Sequence, residues 1–177
     1  MEKAAAFFGI APRLIRGVSD SSGVLTTADL RVIRRRIADF ERRFPQTGFT
    51  VALMAVSKDF PGATYAYWVF NRCNPAGELN QGSANRHVFL LVDTAGKGAW
   101  MTIGYGLEPF IGERHLRQCI EKGRPHFERA QYALGITAVL GETEKVFHEV
   151  LSALPKTYGL PRSEVRSPLE SQTASAW

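Results

Sequence analysis

The chain has 177 residues, is 45% hydrophobic and 22% charged, and carries a net charge of +5. Those fractions sit near globular norms of roughly 45–50% and 25%, which excludes a largely disordered chain. No apolar run approaches the ~20 residues of a membrane helix, so no integral membrane segment is expected, and two cysteines, Cys73 and Cys119, exclude a disulfide framework.

In chain order, Lys3 precedes the apolar stretch Ala4 to Ala11, which ends at Pro12-Arg13. A secretory core of about 7–15 residues is barely met, so residues 1–17 are expected to form an N-terminal arm or helix and the protein to stay in the cytoplasm. Residues 1–44 hold nine Lys/Arg against five Asp/Glu, most of the excess charge. The remainder is nearly balanced, which argues against a basic groove across the whole surface. Thr26 and Asp29 have capping-box spacing and open a helix. Leu30, Ile33, Ile37, Phe40 and Phe44 form its apolar face, with Arg31, Arg34, Arg35 and Arg42 opposite. Asp39 and Glu41 interleave those arginines, so they read as a solvated helix back and no sequence-specific nucleic-acid binding is expected.

Pro45 to Gly48 ends that helix, and Phe49 to Val56 reads as a buried strand. Ala63 to Asn71 carries both strand and helix signals, and Asn71 to Asn85 reads as a loop. His87 to Val92 and Ala99 to Ile103 are apolar runs joined by Thr94-Ala95-Gly96-Lys97-Gly98, which predicts a hairpin. A helix is expected from about Ile111 to Lys122, interrupted by Gly123 and Pro125, and another from about Tyr132 to Leu154, stopped by Pro155. Residues 155–177 read as a polar tail. Helices alternating with apolar strands give an α/β layered domain over residues 18–154.

Three segments, taken together, are more specific. They are Val18-Ser19-Asp20-Ser21-Ser22-Gly23-Val24-Leu25-Thr26, then Phe89-Leu90-Leu91-Val92 followed by Ile103-Gly104-Tyr105-Gly106-Leu107-Glu108, and His126-Phe127 with Tyr132 to Ile136. In this order they resemble the TPM domain family, whose hallmarks are V-x-D-x-x-G-x-L-[ST], a strand leading to G-Y-G-L-E, and P-x-F-x-x-G-x-Y-x-x-G-I. The resemblance implies a three-layer α/β/α sandwich with a small mixed sheet of about four strands. Family members are usually exported or membrane-tethered; some plant members are described as acid phosphatases, and some bacterial ones bind divalent cations. This chain departs by having Asn85-Arg86-His87 where Asn-Gly is common, and Glu113 where an Asp often opens the next helix.

Ligands of open α/β sheets bind beyond the carboxyl ends of strands. Asp59 and Asp93 follow two of the predicted strands and would converge if those strands are parallel. Glu108 and Asn85 fall at the other edge, with Glu113 nearby. Such oxygens suit Ca²⁺ or Mg²⁺. Zinc is not expected, since His115 and Cys119 make half a site at best; nor is a nucleotide, because Gly104-Tyr105-Gly106 lacks the next glycine of a dinucleotide loop. That G-Y-G segment is instead expected to shape the site, with at least one of its glycines at positive φ. A monomer is expected, with an unidentified protein partner left open. Two functions fit: a cation-binding accessory or interaction module, and a metal-assisted phosphatase acting on phosphomonoesters with Lys58 beside the metal.

Overall fold

The computed structural model describes residues 7–9, 17–73 and 85–157, and of 153–157 the backbone alone. The rest of the N-terminal arm, most of the loop expected before His87 and the tail beyond Thr157 lie outside the described residues. The elements are β1 (Val18–Asp20), α1 (Thr27–Arg43), β2 (Gly48–Met54), α2 (Gly62–Cys73), β3 (His87–Asp93), β4 (Ala99–Ile103), α3 (Glu113–Glu128) and α4 (Tyr132–Thr157). No helix among the described residues is long and apolar enough to cross a membrane.

The strands form one sheet in the order β1-β2-β3-β4. The first three are parallel, with Val18 opposite Val51 and Val51 opposite Leu90. β4 returns antiparallel to β3, as the short turn between them requires. Side chains alternate between two buried faces. Val51, Leu53, Val88, Leu90, Val92, Met101 and Ile103 pack against Ile33, Ile37 and Phe40 of α1, Phe127 of α3 and Ile136 and Val139 of α4. Ala52, Met54, Phe89 and Leu91 pack against Tyr65, Ala66, Trp68 and Val69 of α2. Both faces of β2 and β3 are covered, which explains their unbroken apolar sequence. The result is the three-layer α/β/α sandwich, with α1, α3 and α4 on one side and α2 on the other. Phe8 also packs on the α2 side, its ring 5.3 Å from Trp68 and 5.0 Å from Phe60.

This layering constrains chirality. The crossovers β1-α1-β2 and β2-α2-β3 step the same way across the sheet, yet their helices lie on opposite faces. The two crossovers therefore have opposite hands. One is left-handed, against a right-handed preference of about 98% for such units.

Several local expectations give way to tertiary packing. The ambiguous segment after Pro61 is helix α2, because Tyr65, Ala66, Trp68 and Val69 share one buried face. Val18–Asp20, read only as part of a motif, is a strand. Helix α3 begins at Glu113, runs through Gly123 and Pro125, and ends at Glu128. Its continuation is anchored by Phe127, which is wholly buried against α4. Helix α4 likewise passes Pro155 to reach Thr157. At the α3–α4 seam, a Cβ on Gly123 would lie 2.7 Å from Val139 Cγ2 and 2.9 Å from the Gly135 carbonyl oxygen. Glycine is there for close approach, not as a helix stop.

On α1, the capping box forms as expected: the Asp29 amide donates to Thr26 Oγ1 (3.1 Å) and the Thr26 amide to Asp29 Oδ2 (3.0 Å). The Thr26 hydroxyl and amide hold the Asp29 carboxyl below its ordinary value. Arg31, Arg34 and Arg35 are exposed, Arg42 pairs with Asp39, and Arg36 and Arg43 reach Glu144 on α4. His115 does not complete a site with Cys119. Its Nδ1 accepts from the Gly112 amide (3.3 Å) at the helix start, while Cys119 is buried in the core near Thr143.

Two measurements check this packing. Gly123→Ala should lower the thermal midpoint, because overpacking costs about 1–3 kcal/mol and outweighs a helix-propensity gain of up to ~1 kcal/mol. An unchanged or higher midpoint by circular dichroism would show slack in the α3–α4 seam. Burial pushes the Cys119 thiol up to about 11. A disulfide reagent at about pH 8 should therefore leave Cys119 unmodified in the native protein and label it on unfolding. Rapid native labelling of Cys119 would contradict its place in the core.

Candidate functional site at the strand exits

Because β1, β2 and β3 are parallel, their carboxyl ends share one edge of the sheet. Main-chain bonds stitch that edge together: the Ser21 amide donates to the Leu53 carbonyl (2.9 Å), and the Thr94 amide to the Met54 carbonyl (3.0 Å). The Ser22 and Thr94 hydroxyls meet at 2.7 Å, joining the first exit to the third. The Tyr132 hydroxyl, from the start of α4, donates to the Thr94 carbonyl (3.0 Å).

Asp93 is the buried carboxylate of this edge. Its register partner is Met54, which sets it beside the β2 exit. Oδ1 accepts from the amides of Val56 (3.0 Å) and Ala95 (2.9 Å), and Oδ2 from the amide of Gly96 (2.9 Å). A Cβ on Gly96 would lie 2.4 Å from Oδ2, so the turn approaches the carboxylate only because residue 96 is glycine. A carboxylate offers about four acceptor positions, so one remains on Asp93 after three amides.

Asp59 leaves the β2 exit on the same edge but is exposed and held in a local turn. Its amide donates to Ser57 Oγ (3.3 Å), and that hydroxyl lies 3.4 Å from Asp59 Oδ2. Parallel pairing thus brings Asp59 and Asp93 to one edge, with their carboxylates on separate partners. Asp20 reaches along its own loop beyond the span of an Asx-turn. Its Oδ2 accepts from the Leu25 amide (2.9 Å) and its Oδ1 from the Val24 amide (3.3 Å). Gly23, at φ +64°, lets the loop fold back onto that carboxylate. Asp20 was legible as the acid of V-x-D-x-x-G; Ser22 and Thr94, which join two loops 72 residues apart, carried no local signal. Among the described residues, no three His, Cys, Asp or Glu side chains converge as a ready-made metal set. An ion here would draw on the acceptor positions left on Asp20, Asp59 and Asp93, with hydroxyls, carbonyls and water completing its shell.

The second predicted group lies across the sheet. The Gly106 amide donates to the Asn85 carbonyl (2.7 Å), and the Gly104 amide to the His87 carbonyl (2.9 Å), so the loop after β4 packs on the start of β3. Neither Gly104 nor Gly106 has positive φ, which corrects the expectation for this loop. Gly106 is needed for another reason: a Cβ would lie 2.9 Å from the Asn85 carbonyl oxygen. Glu108 is exposed, and Glu113 is engaged with Arg117 on α3 (2.7 Å). Tyr105 projects outward, and its hydroxyl meets that of Tyr67 on α2 at 3.0 Å. That hydrogen bond, with the neighbouring charge of Glu108, raises the Tyr105 phenol above its ordinary value. Asn85 and Glu108 thus share an edge with each other and not with Asp59 and Asp93.

The family model described as TPM domain matches residues 18–146. No curated protein matches. Three solved structures share the fold at low identity. The N-terminal domain of a protein from P. gingivalis has a TM-score of 0.64 at 22% identity, covering 77% of this chain and 85% of its own. The BA42 protein of the psychrophilic bacterium Bizionia argentinensis has a TM-score of 0.61 at 15% identity, covering 73% and 86%. The N-terminal domain of the cg2496 protein from Corynebacterium glutamicum has a TM-score of 0.58 at 12% identity, covering 76% and 82%. The family match spans every strand of the sheet, the D-x-x-G loop that Asp20 closes and the G-Y-G-L-E loop that packs on Asn85: this chain belongs to the TPM domain family.

Proposed function

We propose that the domain is a divalent-cation-binding accessory or interaction module, with Ca²⁺ or Mg²⁺ held at the exits of β1, β2 and β3. The supporting observation is that three carboxylates, Asp20, Asp59 and Asp93, leave adjacent parallel strands at one edge, in loops tied together by the Ser22–Thr94 contact. Hard cations take six to eight oxygens in a flexible shell, which suits an edge built from loops. Asp93, set among amides, organises the edge; Asp20 and Asp59 have more acceptor capacity left. The group of Glu108 and Asn85 is the less favoured position, because it offers Glu108 alone as a carboxylate: Glu113 is engaged with Arg117, and the Asn85 carbonyl is tied to Gly106.

A second reading keeps the same ion and adds Lys58, exposed beside Asp59, as a positive group for a phosphoryl oxygen. The two readings separate on one sample. Titration with CaCl₂ and then MgCl₂, followed by amide NMR, should move Ser21 to Val24, Lys58 to Phe60 and Thr94 to Gly96. Asp20→Asn and Asp59→Asn should each weaken the affinity. Shifts confined to Asn85 and Tyr105 to Glu108 would move the ion to the opposite edge. Metal-dependent hydrolysis of p-nitrophenyl phosphate, lost in Lys58→Ala, would favour the phosphatase.

Asp93→Asn tests the organising role separately. The amide side chain keeps one acceptor oxygen where the carboxylate has two, so at least one of the three backbone donors loses its partner. The expected loss is about 1–3 kcal/mol of stability without added metal, read as a lower denaturant midpoint. A variant as stable as the parent would show that the three amide contacts do not hold the edge.

A further inference from the structure

The loop that carries Asp59 is held at two points. At its start, Val56 is buried and its amide donates to Asp93 Oδ1 at 3.0 Å. Towards its end, Phe60 is drawn inward, while Ser57, Lys58, Asp59 and Pro61 are exposed. Within the loop, the Phe60 amide donates to the Ser57 carbonyl (3.0 Å) and the Asp59 amide to Ser57 Oγ (3.3 Å). These bonds close the turn on itself. The place of the Asp59 carboxylate relative to Asp93 therefore depends on where Phe60 sits.

Three rings among the described residues grip Phe60. Tyr65, in the first turn of α2, stacks on it with centroids 5.2 Å apart and planes at 28°. Phe8 meets it edge-on at 5.0 Å and 87°, and Phe7 at 5.5 Å. Phe8 is itself buried, with its ring 5.3 Å from both Tyr65 and Trp68. These separations all lie in the attractive range of about 4.5–7 Å for aromatic pairs. Polar atoms add little to this layer: the Trp68 indole N–H is buried without an acceptor, and the Tyr65 hydroxyl reaches the Met54 sulfur at 3.8 Å. Ring packing is what holds Phe8 in place. Phe7 and Phe8 stand ahead of the residues that match the family, so two of the three rings on Phe60 come from outside that stretch.

We propose that Phe8 is a positioning residue for the cation site at the strand exits: docked beside α2, it clamps Phe60 and so holds Asp59 at the edge shared with Asp20 and Asp93. The inference rests on the cation reading above and adds a means of regulating that site. Of the three carboxylates, Asp59 is the one that needs a clamp. Asp93 and Asp20 are fixed by backbone amides that they accept from, whereas Asp59 has only the hydroxyl of its own turn. Phe8 docking and cation binding are then coupled through Phe60. The coupling is reciprocal: release of the Phe7–Phe8 segment weakens the ion, and the ion tightens the segment.

The test uses the isotope-labelled full chain, its Phe8→Ala and Phe8→Leu variants, and Gly123→Ala as a control that weakens the fold away from this layer. Without metal, backbone order parameters at Lys58, Asp59 and Phe60 should drop in Phe8→Ala from about 0.85, the rigid range, to about 0.6. Phe8→Leu keeps the apolar bulk and should restore most of that order; Gly123→Ala should match the parent. Titrated with CaCl₂, Phe8→Ala should bind about fivefold more weakly than the parent, the lower end of typical coupling, with Gly123→Ala unchanged. The same titration of the parent should shift the Phe8 amide, although its ring packs in the α2 layer. Unchanged order at Lys58 to Phe60 in Phe8→Ala overturns the clamp, as does an equal loss of order in Gly123→Ala. A parent and a Phe8→Ala variant that bind Ca²⁺ equally overturn the coupling alone. A parent with no response to CaCl₂ overturns the cation reading itself, and the coupling with it.

Discussion

The carboxylate of Asp93 is where the loops of this domain are tied to its sheet. Three backbone amides from two segments converge on it: Val56 from the β2 exit, and Ala95 and Gly96 from the β3–β4 turn. A buried amide without an acceptor costs about 1–3 kcal/mol, which applies to Val56, and the same side chain also fixes the two part-buried amides of the turn. The geometry of the turn follows from this. Gly96 must lack a Cβ, Lys97 is carried into the left-handed region, and Gly98 returns the chain to pair with Asp93. The position of β4 depends on that turn.

A second constraint is the unequal covering of the sheet. Three helices pack on one face and α2 with Phe8 on the other, so the two parallel crossovers differ in hand. Both crossovers are held by burial: Val51, Leu53 and Leu90 are completely shielded on the face of α1, and Ala52, Phe89 and Leu91 under α2. Apolar burial of this extent contributes about 1.5–3 kcal/mol for each large side chain. Ring contacts among Phe60, Tyr65 and Trp68, with centroids 5.2 and 5.7 Å apart, extend the same layer outward.

What the sequence discloses is what local pattern decides. The Thr26–Asp29 box and the Ile33, Ile37, Phe40 spacing define α1, and the unbroken apolar runs define β2, β3 and β4. β1 escapes because three residues are too few to show a period, and its pairing with β2 is nonlocal. Gly123 and Pro125 read locally as a helix end, yet the α3–α4 seam carries the helix through both. Gly106 suggests an unusual dihedral, whereas the need for glycine comes from Asn85, which only the fold brings near. The candidate site divides in the same way. Asp59 and Asp93 can be placed at one edge from strand order, but the Val56–Asp93 contact spans 37 residues and the Ser22–Thr94 contact 72. Neither carries a local signature, so the distinction between a carboxylate engaged by amides and one with capacity to spare emerges only in three dimensions.

The family hallmarks acquire separate physical meanings on this sheet. The D-x-x-G loop and Asp93 build the exit edge of the parallel strands, where acceptor oxygens gather. The G-Y-G-L-E loop builds the opposite end, where Gly106 binds the Asn85 carbonyl and Tyr105 contacts Tyr67 on α2. The β3–β4 hairpin links the two, since its turn is closed by Asp93 and its far end by the Gly104–His87 bond. An ion at the exit edge would neutralise charge around the very carboxylate that orients the turn. Because Lys97 and Gly98 belong to that turn, such neutralisation reaches β4 through one short segment of backbone.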